Sequence, residues 1–453
     1  QPWETLISEA QERMTMAVPP EKLDQFMALS KEMGVESTSL GTFEENGMYL
    51  VTYGEKIVTC LDMDFLHNGV PQMQLDAIWQ RPEVTTSPVP DVPDQGALLK
   101  RMLGRLNICS KEYVIRQYDH EVKGRSAVKP LVGVLHDGPA DAGVIRPQLE
   151  SERGLVISHG ICPKFSDLDT YWMMAGAIDE AIRNAVAVGG DLSYMAGVDN
   201  FCWCDPVQSE STPDGHYKLA QLVRANQALA HFCQGFGVPC ISGKDSMKND
   251  YKGGGVKISI PPTVLFSLIG VIPDVNKCMT SDFKHEGDLV YLLGRTFAET
   301  GGAEIEKELG FASGQVPQVD LLTARARYEA VFTASQAGII SACHDCSDGG
   351  LGVALAEMAL GGRLGAHIDL SNVAGGNDLD VTTLLYSESA SRLVCTLAPA
   401  NRTAFEALFA GQAFGCIGTV KADGRLCLTY EEQEILDEPC ESLVAAFKAT
   451  LNW

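Results

Sequence analysis

The sequence predicts an α/β protein, because apolar strand-like stretches alternate with helical stretches along most of its length. Strand-like runs occur at residues 129–135 and 154–159, and an alanine-rich helical pattern covers residues 172–188. A second series of alternating elements begins at Asp288, which places a domain boundary near residue 275. A chain of 453 residues is long enough for two or more such domains, each with a buried core.

Two segments near opposite ends of the chain share the same order of sequence features. Residues 6–14 and 385–393 each contain Ser-Glu at the same spacing before an arginine, and each precedes a proline, a helical pattern and a Gly-Thr pair. A long organised stretch precedes the second copy, whereas very little precedes the first. We interpret the pair as a tandem duplication and expect the chain to begin inside a domain. A chance match between two strand-helix-strand units is the alternative.

The stretch between the two copies changes in composition. Residues 80–95 are rich in Pro, Thr, Ser and Val and have little periodicity, which is typical of a linker. Residues 98–106 then show the spacing of a short amphipathic helix. We therefore expect a linker that carries one short helix before the next α/β domain.

Composition and charge exclude several classes of protein. A formal net charge of −24 would repel a nucleic-acid backbone, and no stripe of lysine or arginine offsets it, so we expect no nucleic-acid partner. No apolar run is long enough to span a membrane and no secretion signal is recognisable, so we expect no membrane association. The 14 cysteines lie mostly in apolar contexts without zinc-ligand spacing, which favours a reducing, cytoplasmic location.

Three short motifs carry residues suited to binding a phosphorylated ligand and its cation. Asp141 follows a Gly-Pro turn, and Glu180 and Asn184 lie four positions apart on one face of the alanine-rich helix. The third motif, residues 344–350, follows an apolar strand and precedes a helix, so its backbone amides and the Ser347 hydroxyl can contact a phosphate. A helix N-cap with a glycine turn is the alternative interpretation of this third motif.

Four motifs occur in the order found in the formylglycinamidine ribonucleotide synthetase family, which the chain resembles over nearly its whole length. They are residues 8–14, residues 242–247, the Glu-Ala-Xaa-Xaa-Asn helix at 180–184 and the His-Asp-Xaa-Ser-Asp-Gly-Gly turn at 344–350. The resemblance implies an α/β fold similar to aminoimidazole ribonucleotide synthetase. It divides the chain into the tail of a first-half C-terminal-type domain (1–79), a linker with a short helix (80–130), a second-half ATP-binding-type domain (131–275) and a second-half C-terminal-type domain (276–453).

The resemblance also implies roles for individual residues. Nucleotide contacts are implied for Ala140, Ser347, Asp199 and Gly243, magnesium binding for Asp141, Glu180, Asn184 and Asp345, and ribonucleotide contacts for Glu9, Gln11 and Ser246. Alanine stands at position 10 where the family has serine, so a hydroxyl contact is not expected there. Residues 242–246 do not form a Walker phosphate loop, because Asp245 follows Lys244 where that loop requires Ser or Thr.

The implied activity is an ATP- and Mg²⁺-dependent ligase reaction of purine biosynthesis. It converts formylglycinamide ribonucleotide and ammonia from glutamine into formylglycinamidine ribonucleotide. In the family, the catalytic histidine lies in the N-terminal half of the synthetase and ammonia comes from a glutaminase domain or subunit, so both are implied partners. We expect this chain to supply an auxiliary ATP or ADP site with magnesium, and part of the substrate site, without a catalytic residue of its own.

Two other functions remain possible at this point. The chain can be a non-catalytic scaffold fragment that a nucleotide stabilises. It can also be another enzyme of the same superfamily, such as selenophosphate synthetase, although residues 1–90 argue against that because those enzymes lack a preceding half.

Overall fold

A computed structural model describes residues 1–453, apart from the side chain of residue 122. The chain divides by its internal contacts into two units, residues 1–75 and residues 76–453. Among the described residues, no helix is both long and apolar enough to cross a bilayer.

The N-terminal unit is a small helical segment followed by a hairpin. Its elements are α1 (Pro2–Leu6), α2 (Leu23–Glu32), β1 (Met48–Tyr53), β2 (Lys56–Asp62) and α3 (Met63–Asn68). β1 and β2 form an antiparallel pair. Large apolar side chains of this unit, including Trp3, Met14 and Phe43, are exposed.

Two short helices and a six-stranded sheet follow, with further small hairpins. The elements are α4 (Gln95–Leu103), α5 (Glu112–Ile115), β3 (Ser126–Val128), β4 (Leu131–Val132), β5 (Gly138–Pro139), β6 (Gly143–Ile145), β7 (Gly154–Gly160), α6 (Thr170–Ala187), β8 (Met195–Cys202), α7 (Gly215–Phe236), β9 (Cys240–Ser246), β10 (Asp250–Gly253), β11 (Val256–Ser259) and β12 (Thr263–Ile272). The sheet has the strand order β3-β6-β7-β12-β8-β9, with β8 and β9 parallel. α6 packs against β7 and β12, and α7 packs on α6.

The last part of the chain forms a seven-stranded sheet with helices. Its elements are β13 (Leu289–Leu293), α8 (Glu304–Leu309), α9 (Leu321–Gln336), β14 (Ala342–Asp345), α10 (Gly350–Gly362), β15 (Gly365–Asp369), α11 (Val381–Tyr386), β16 (Leu393–Leu397), α12 (Arg402–Leu408), β17 (Phe414–Lys421), β18 (Arg425–Tyr430), β19 (Gln433–Pro439) and α13 (Cys440–Ala449). The strand order is β14-β16-β13-β17-β15-β18-β19, with β15 and β18 parallel. α6 also contacts β14, so this helix connects the two sheets.

The two copies of the sequence repeat share a backbone conformation. In each copy an arginine donates from Nη2 to the carbonyl five positions before it and from Nε to the carbonyl three positions before it. The residue directly before each arginine has a positive φ, +62° in the first copy and +61° in the second. The residues are Ser8, Ala10, Glu12 and Arg13 in the first copy and Ser387, Ser389, Ser391 and Arg392 in the second.

The copies differ in their strands. In the second copy, β16 pairs with β13 on one side and β14 on the other. Within residues 1–75 the corresponding stretch is not a strand, and no counterpart of those two partners occurs there.

The strand predicted at residues 129–135 is wrong in extent. Only β4 forms, and it pairs with β5 in a tight hairpin. Gly133 has φ +88°, and a Cβ at this position would lie 2.3 Å from the Gly361 carbonyl oxygen. The hairpin therefore packs its backbone directly against the end of α10, which a longer regular strand could not do.

The segment predicted as a linker is packed against the body of the protein. Ser87 donates its N–H to the Ala312 carbonyl at 3.0 Å, and the Ala312 N–H donates to Ser87 Oγ at 3.0 Å. The apolar face of α4, including Leu98 and Met102, is buried in the core of the seven-stranded sheet. The predicted helix thus belongs to that core, while the division of the chain into four segments stays a prediction.

Candidate metal centre

Asp141, His344 and Asp345 bring their side chains together between the two sheets. The Asp141 Oδ1 atom lies 2.9 Å from His344 Nδ1 and accepts the Asp345 N–H at 3.0 Å. Potential ligand atoms of the three residues all lie within 4.8 Å of one another. Asp141 Oδ2 is buried and has no hydrogen-bond partner among the described residues. A buried oxygen without a hydrogen-bond donor is costly, so this oxygen is available to a cation.

The local sequence explains why these groups meet. Asp345 ends β14, whose four residues are buried beside β16, and the chain then turns through Gly349 into α10. Gly349 has φ +84°, a conformation that side chains rarely adopt. Ser347 lies in this turn and donates from Oγ to Asp345 Oδ1 at 3.3 Å. The third motif is therefore a strand-turn-helix, as its pattern predicts.

Glu180 and Asn184 of α6 bring further side-chain oxygens to this site. Glu180 Oε2 accepts the Ile161 N–H at 2.8 Å, and Asn184 Nδ2 donates to the His159 carbonyl at 3.2 Å. Asn184 Oδ1 is buried without a partner among the described residues. Gly143 of β6 pairs with Ile157 of β7, so Asp141, two residues before Gly143, lies beside His159, two residues after Ile157. The acidic and amide oxygens of α6 thus face the same end of β7 as Asp141.

Arg183 is a central residue of the site that sequence reasoning missed. Its guanidinium lies 3.2 Å from Asp345 Oδ2 and also bonds Asp179. Asp179 is fully buried and accepts from the Tyr328 hydroxyl at 2.5 Å and from the Ser391 Oγ at 2.7 Å. Arg183 and Asp179 therefore tie α6 to the seven-stranded sheet. The sequence could have indicated both residues, because they lie on the same helix as Glu180 and Asn184.

Two carboxylates of the cluster have raised pKa values. The pKa of Glu180 is raised to about 8, mainly by burial; Arg183 opposes the rise, and Asp345 and Asp348 add to it. Burial also raises the pKa of Asp345 to about 6, and Arg183 opposes this. Carboxylates gathered in a site with little water must take up protons or share a cation, because their like charges repel. Oxygen donors of this kind suit Mg²⁺.

Glu388 is a second missed residue. Its Oε1 atom accepts the Gly349 N–H at 2.8 Å and the Glu304 N–H at 2.9 Å, so it caps the starts of α10 and α8. Burial raises its pKa well above the usual value, and Asp348 adds to this. Glu388 occupies the same position in the second repeat copy as Glu9 in the first, so the repeat itself could have indicated it.

Asp199, Gly243 and Ser246 lie elsewhere, at the β8–β9 edge of the six-stranded sheet. Asp199 pairs in register with Gly243, where an added Cβ would lie 2.7 Å from Asp199 Oδ1. Asp199 and Gly160 both pair with Phe266 of β12. Two strand spacings, roughly 10 Å, therefore separate Asp199 from the end of β7 that carries the metal cluster.

The remaining predicted residues divide between the two units. Ala140 is half-buried directly before Asp141, next to Pro139, whose carbonyl accepts the Ser281 hydroxyl at 2.6 Å. Glu9 and Gln11 are exposed in the N-terminal unit, in the turn that the first-copy arginine closes. The roles of all the predicted site residues stay predictions.

Comparisons with known proteins identify relatives of the whole chain. Residues 285–431 match the family described as AIR synthase related protein, C-terminal domain. The chain is 31% identical over 99% of its length to phosphoribosylformylglycinamidine synthase subunit PurL of Thermoplasma acidophilum, and 30% identical over its full length to the PurL subunit of Deinococcus radiodurans. It spans 57% and 59% of the length of these two relatives.

Solved structures of PurL from Thermotoga maritima share the fold. The alignment with the complex of PurL with FGAR covers 72% of this chain and 50% of the PurL chain, with a TM-score of 0.55 and 17% identity. The alignment with the complex of PurL with ATP covers 78% of this chain and 55% of the PurL chain, with a TM-score of 0.53 and 17% identity. The alignment with a chain of the PurLQS structure covers 74% of this chain and 49% of that chain, with a TM-score of 0.52 and 17% identity. The predicted α/β fold of the aminoimidazole ribonucleotide synthetase type is thereby confirmed.

Proposed function

We propose that this chain is part of a formylglycinamidine ribonucleotide synthetase, because it is 31% identical to a PurL subunit over 99% of its length and its residues 285–431 match the AIR synthase related C-terminal domain. The reaction is the ATP-dependent conversion of formylglycinamide ribonucleotide and ammonia into the amidine. The observation that carries the proposal is the buried oxygen cluster, in which Asp141 Oδ2 and Asn184 Oδ1 have no partner among the described residues.

The cluster fits a magnesium-bound adenine nucleotide. Asp141, Asp345, Glu180 and Asn184 would hold magnesium, because each offers a side-chain oxygen and hard oxygen donors are the ligands that magnesium prefers. Magnesium, when bound, neutralises phosphate charge, which would allow a polyphosphate to bind beside these carboxylates. Ser347 and the backbone beside Ala140 flank the cluster and are proposed to contact the nucleotide. We assign this site the auxiliary rather than the reacting nucleotide.

The proposed substrate contacts are Glu9 and Gln11 and, separately, Ser246. Asp199 and Gly243 are proposed nucleotide-binding residues at the same sheet edge as Ser246, since they pair side by side there. This edge lies two strand spacings from the end of β7 that carries the metal cluster, which supports a second contact region distinct from the auxiliary site. In a reconstituted enzyme, Gln11→Ala would raise KM for the ribonucleotide while the auxiliary nucleotide stays bound.

An apolar sheet face supports a protein partner. Side chains that point away from α6 include Ile145, Ile157 and Ile269, which are 39%, 51% and 38% exposed. Ile157 and Ile269 are direct cross-strand neighbours, so they form a continuous patch. Patches of this kind mark interaction sites. We propose that the N-terminal half of the synthetase covers it, and that a glutaminase subunit supplies ammonia.

The cysteines support a reducing, cytoplasmic setting. Eleven of the 14 are buried or half-buried, where cysteine behaves as a small apolar side chain.

Calorimetric titration of the chain with Mg²⁺ and ADP tests the proposal. A ligand at about 100 times its Kd stabilises a fold by roughly 2.7 kcal/mol, so binding also raises the melting temperature. The double variant Asp345→Asn with Glu180→Gln is expected to lose both effects. Asp320→Asn is the matched control, because Asp320 caps α9 through a hydrogen bond that asparagine can also make. Unchanged binding by the double variant would refute the site.

A further inference from the structure

His344 is buried between two carboxylates and has no free ring nitrogen. Its Nδ1 lies 2.9 Å from Asp141 Oδ1, and its Nε2 lies 2.9 Å from Glu357 Oε2. Both ring nitrogens therefore lie at hydrogen-bond distance from a carboxylate oxygen, so neither is left without a partner for a metal to take up.

The contacts of Asp141 are divided unevenly between its two oxygens. Oδ1 receives the His344 ring and the Asp345 N–H, at 2.9 and 3.0 Å. Oδ2 receives nothing from the described residues, although the side chain is fully buried. Two donors on one oxygen fix the rotation of the carboxylate and leave the other oxygen aimed at the place where a cation would bind.

We propose that Glu357 and His344 are positioning residues that orient Asp141 toward magnesium, and that His344 is not itself a ligand. Glu357 lies on α10, His344 on β14 and Asp141 before β6, so the chain of contacts joins the helix that begins at the Ser347 turn to the metal-facing carboxylate. The inference rests on the proposed magnesium–nucleotide function. It adds Glu357, which lies outside the sequence motifs, and gives a role to His344, the first residue of the third motif.

One distance favours positioning over direct coordination. The His344 Nδ1 atom is 4.0 Å from the nearer Asp345 oxygen, so the ring bonds Asp141 and not the second carboxylate. Groups that hydrogen-bond a metal ligand fix its orientation, and their loss typically weakens metal affinity by about 10- to 100-fold.

Magnesium titrations of the 453-residue chain with ADP present test this inference. Glu357→Ala and His344→Gln are each expected to weaken Mg²⁺ binding by roughly 10- to 100-fold. Glu357→Gln keeps an acceptor oxygen for Nε2–H and is expected to retain most of the affinity. His367→Asn is the control, because His367 pairs with Asp423 at 2.9 Å on the same sheet and is exposed. Melting temperatures without metal identify any variant that fails to fold.

Nitrogen-15 spectra of the histidine side chains give a readout independent of affinity. The protonation pattern of the His344 ring nitrogens is expected to stay the same when Mg²⁺ and ADP are added, because neither nitrogen binds the ion. Loss of one N–H on addition of metal would mean that His344 is a ligand and would overturn the inference. Glu357→Ala binding Mg²⁺ as tightly as wild type would overturn it as well.

The two proposals fail in different ways. If the wild-type chain binds neither Mg²⁺ nor ADP, the proposed function fails and the positioning role fails with it. If the wild type binds both while Glu357→Ala and His344→Gln leave the affinity unchanged, the function stands and only the positioning role is lost.

Discussion

At the scale of single residues, the site is defined by oxygens that the fold leaves without partners. Asp141 Oδ2 and Asn184 Oδ1 are buried beside carboxylates that already repel one another. Burial without compensation is unfavourable, so the fold bears a cost here that a bound cation would remove. The sequence pattern indicated Asp141, Glu180, Asn184 and Asp345 as oxygen donors. It could not indicate which oxygen of each group stays free.

Glu180→Gln is expected to stabilise the metal-free protein. Burial raises the pKa of Glu180 from 4.5 to about 8, so the folded state holds the proton more tightly than the unfolded state. Stability from this group is therefore greatest at low pH and falls as pH rises toward 8. Glutamine lacks the charge and avoids that loss. Thermal melts without metal between about pH 5 and about pH 8.5 should show the gap between variant and wild type widening with pH.

The same substitution must have the opposite effect with ligand present. Mg²⁺ with ADP is expected to raise the melting temperature of the wild type and to raise that of Glu180→Gln much less. A variant that is less stable than wild type without metal at the upper end of this range would contradict the burial argument.

At the scale of elements, α4 shows how a helix inside a predicted linker becomes part of a core. Its apolar face, including Leu98, Leu99 and Met102, packs among the helices of the seven-stranded sheet. Arg105, just beyond the helix, pairs with Glu304 at 2.5 Å and Glu308 at 3.0 Å on α8. The amphipathic period predicted the helix itself. Its partner could not be predicted, because that partner lies some two hundred residues away in sequence, a separation that no local pattern reports.

Leu98→Ala is expected to lower the free energy of unfolding by about 2 to 5 kcal/mol, because Leu98 is fully buried and alanine leaves a cavity. Urea denaturation measures the change. Leu106→Ala provides the control, since Leu106 is 66% exposed and its loss should change stability by less than about 0.5 kcal/mol. Equal effects of the two substitutions would mean that α4 is not part of the core.

At the scale of the whole molecule, the six-stranded sheet has one face covered by α6 and one face that remains apolar and open. Ile157 and Ile269 lie side by side on the open face. We expect the chain without a partner to self-associate through this face, because exposed apolar patches drive association. Sedimentation measurements should show a concentration-dependent increase in mass. Ile157→Lys should shift the protein toward monomer, whereas Leu322→Lys, at another exposed position on α9, should not.

The chain alone is expected to have no synthetase activity, even with ammonium salts as the nitrogen source. The proposed contribution of this chain is the auxiliary nucleotide site and part of the substrate site, and none of its residues is assigned to the chemical step. Turnover of formylglycinamide ribonucleotide, measured as ATP-dependent phosphate release, should appear only when the N-terminal half of a synthetase is added. Turnover by the purified chain alone would place the catalytic groups within it.

The sequence alone determined the fold class, the long helix with Glu180 and Asn184, the strand-turn-helix at residues 344–350 and the repeat that ends in Arg13 and Arg392. These features depend on local periodicity, turn chemistry and self-similarity, which neighbouring residues encode. Only the tertiary structure decided that Arg183 ties α6 to β14 and that His344 joins Glu357 to Asp141. Those contacts join residues far apart in the chain, and their geometry follows from how the sheets and α6 pack. The tertiary structure also decided that the strand predicted at residues 129–135 is shorter, because the end of α10 occupies the space beside Gly133.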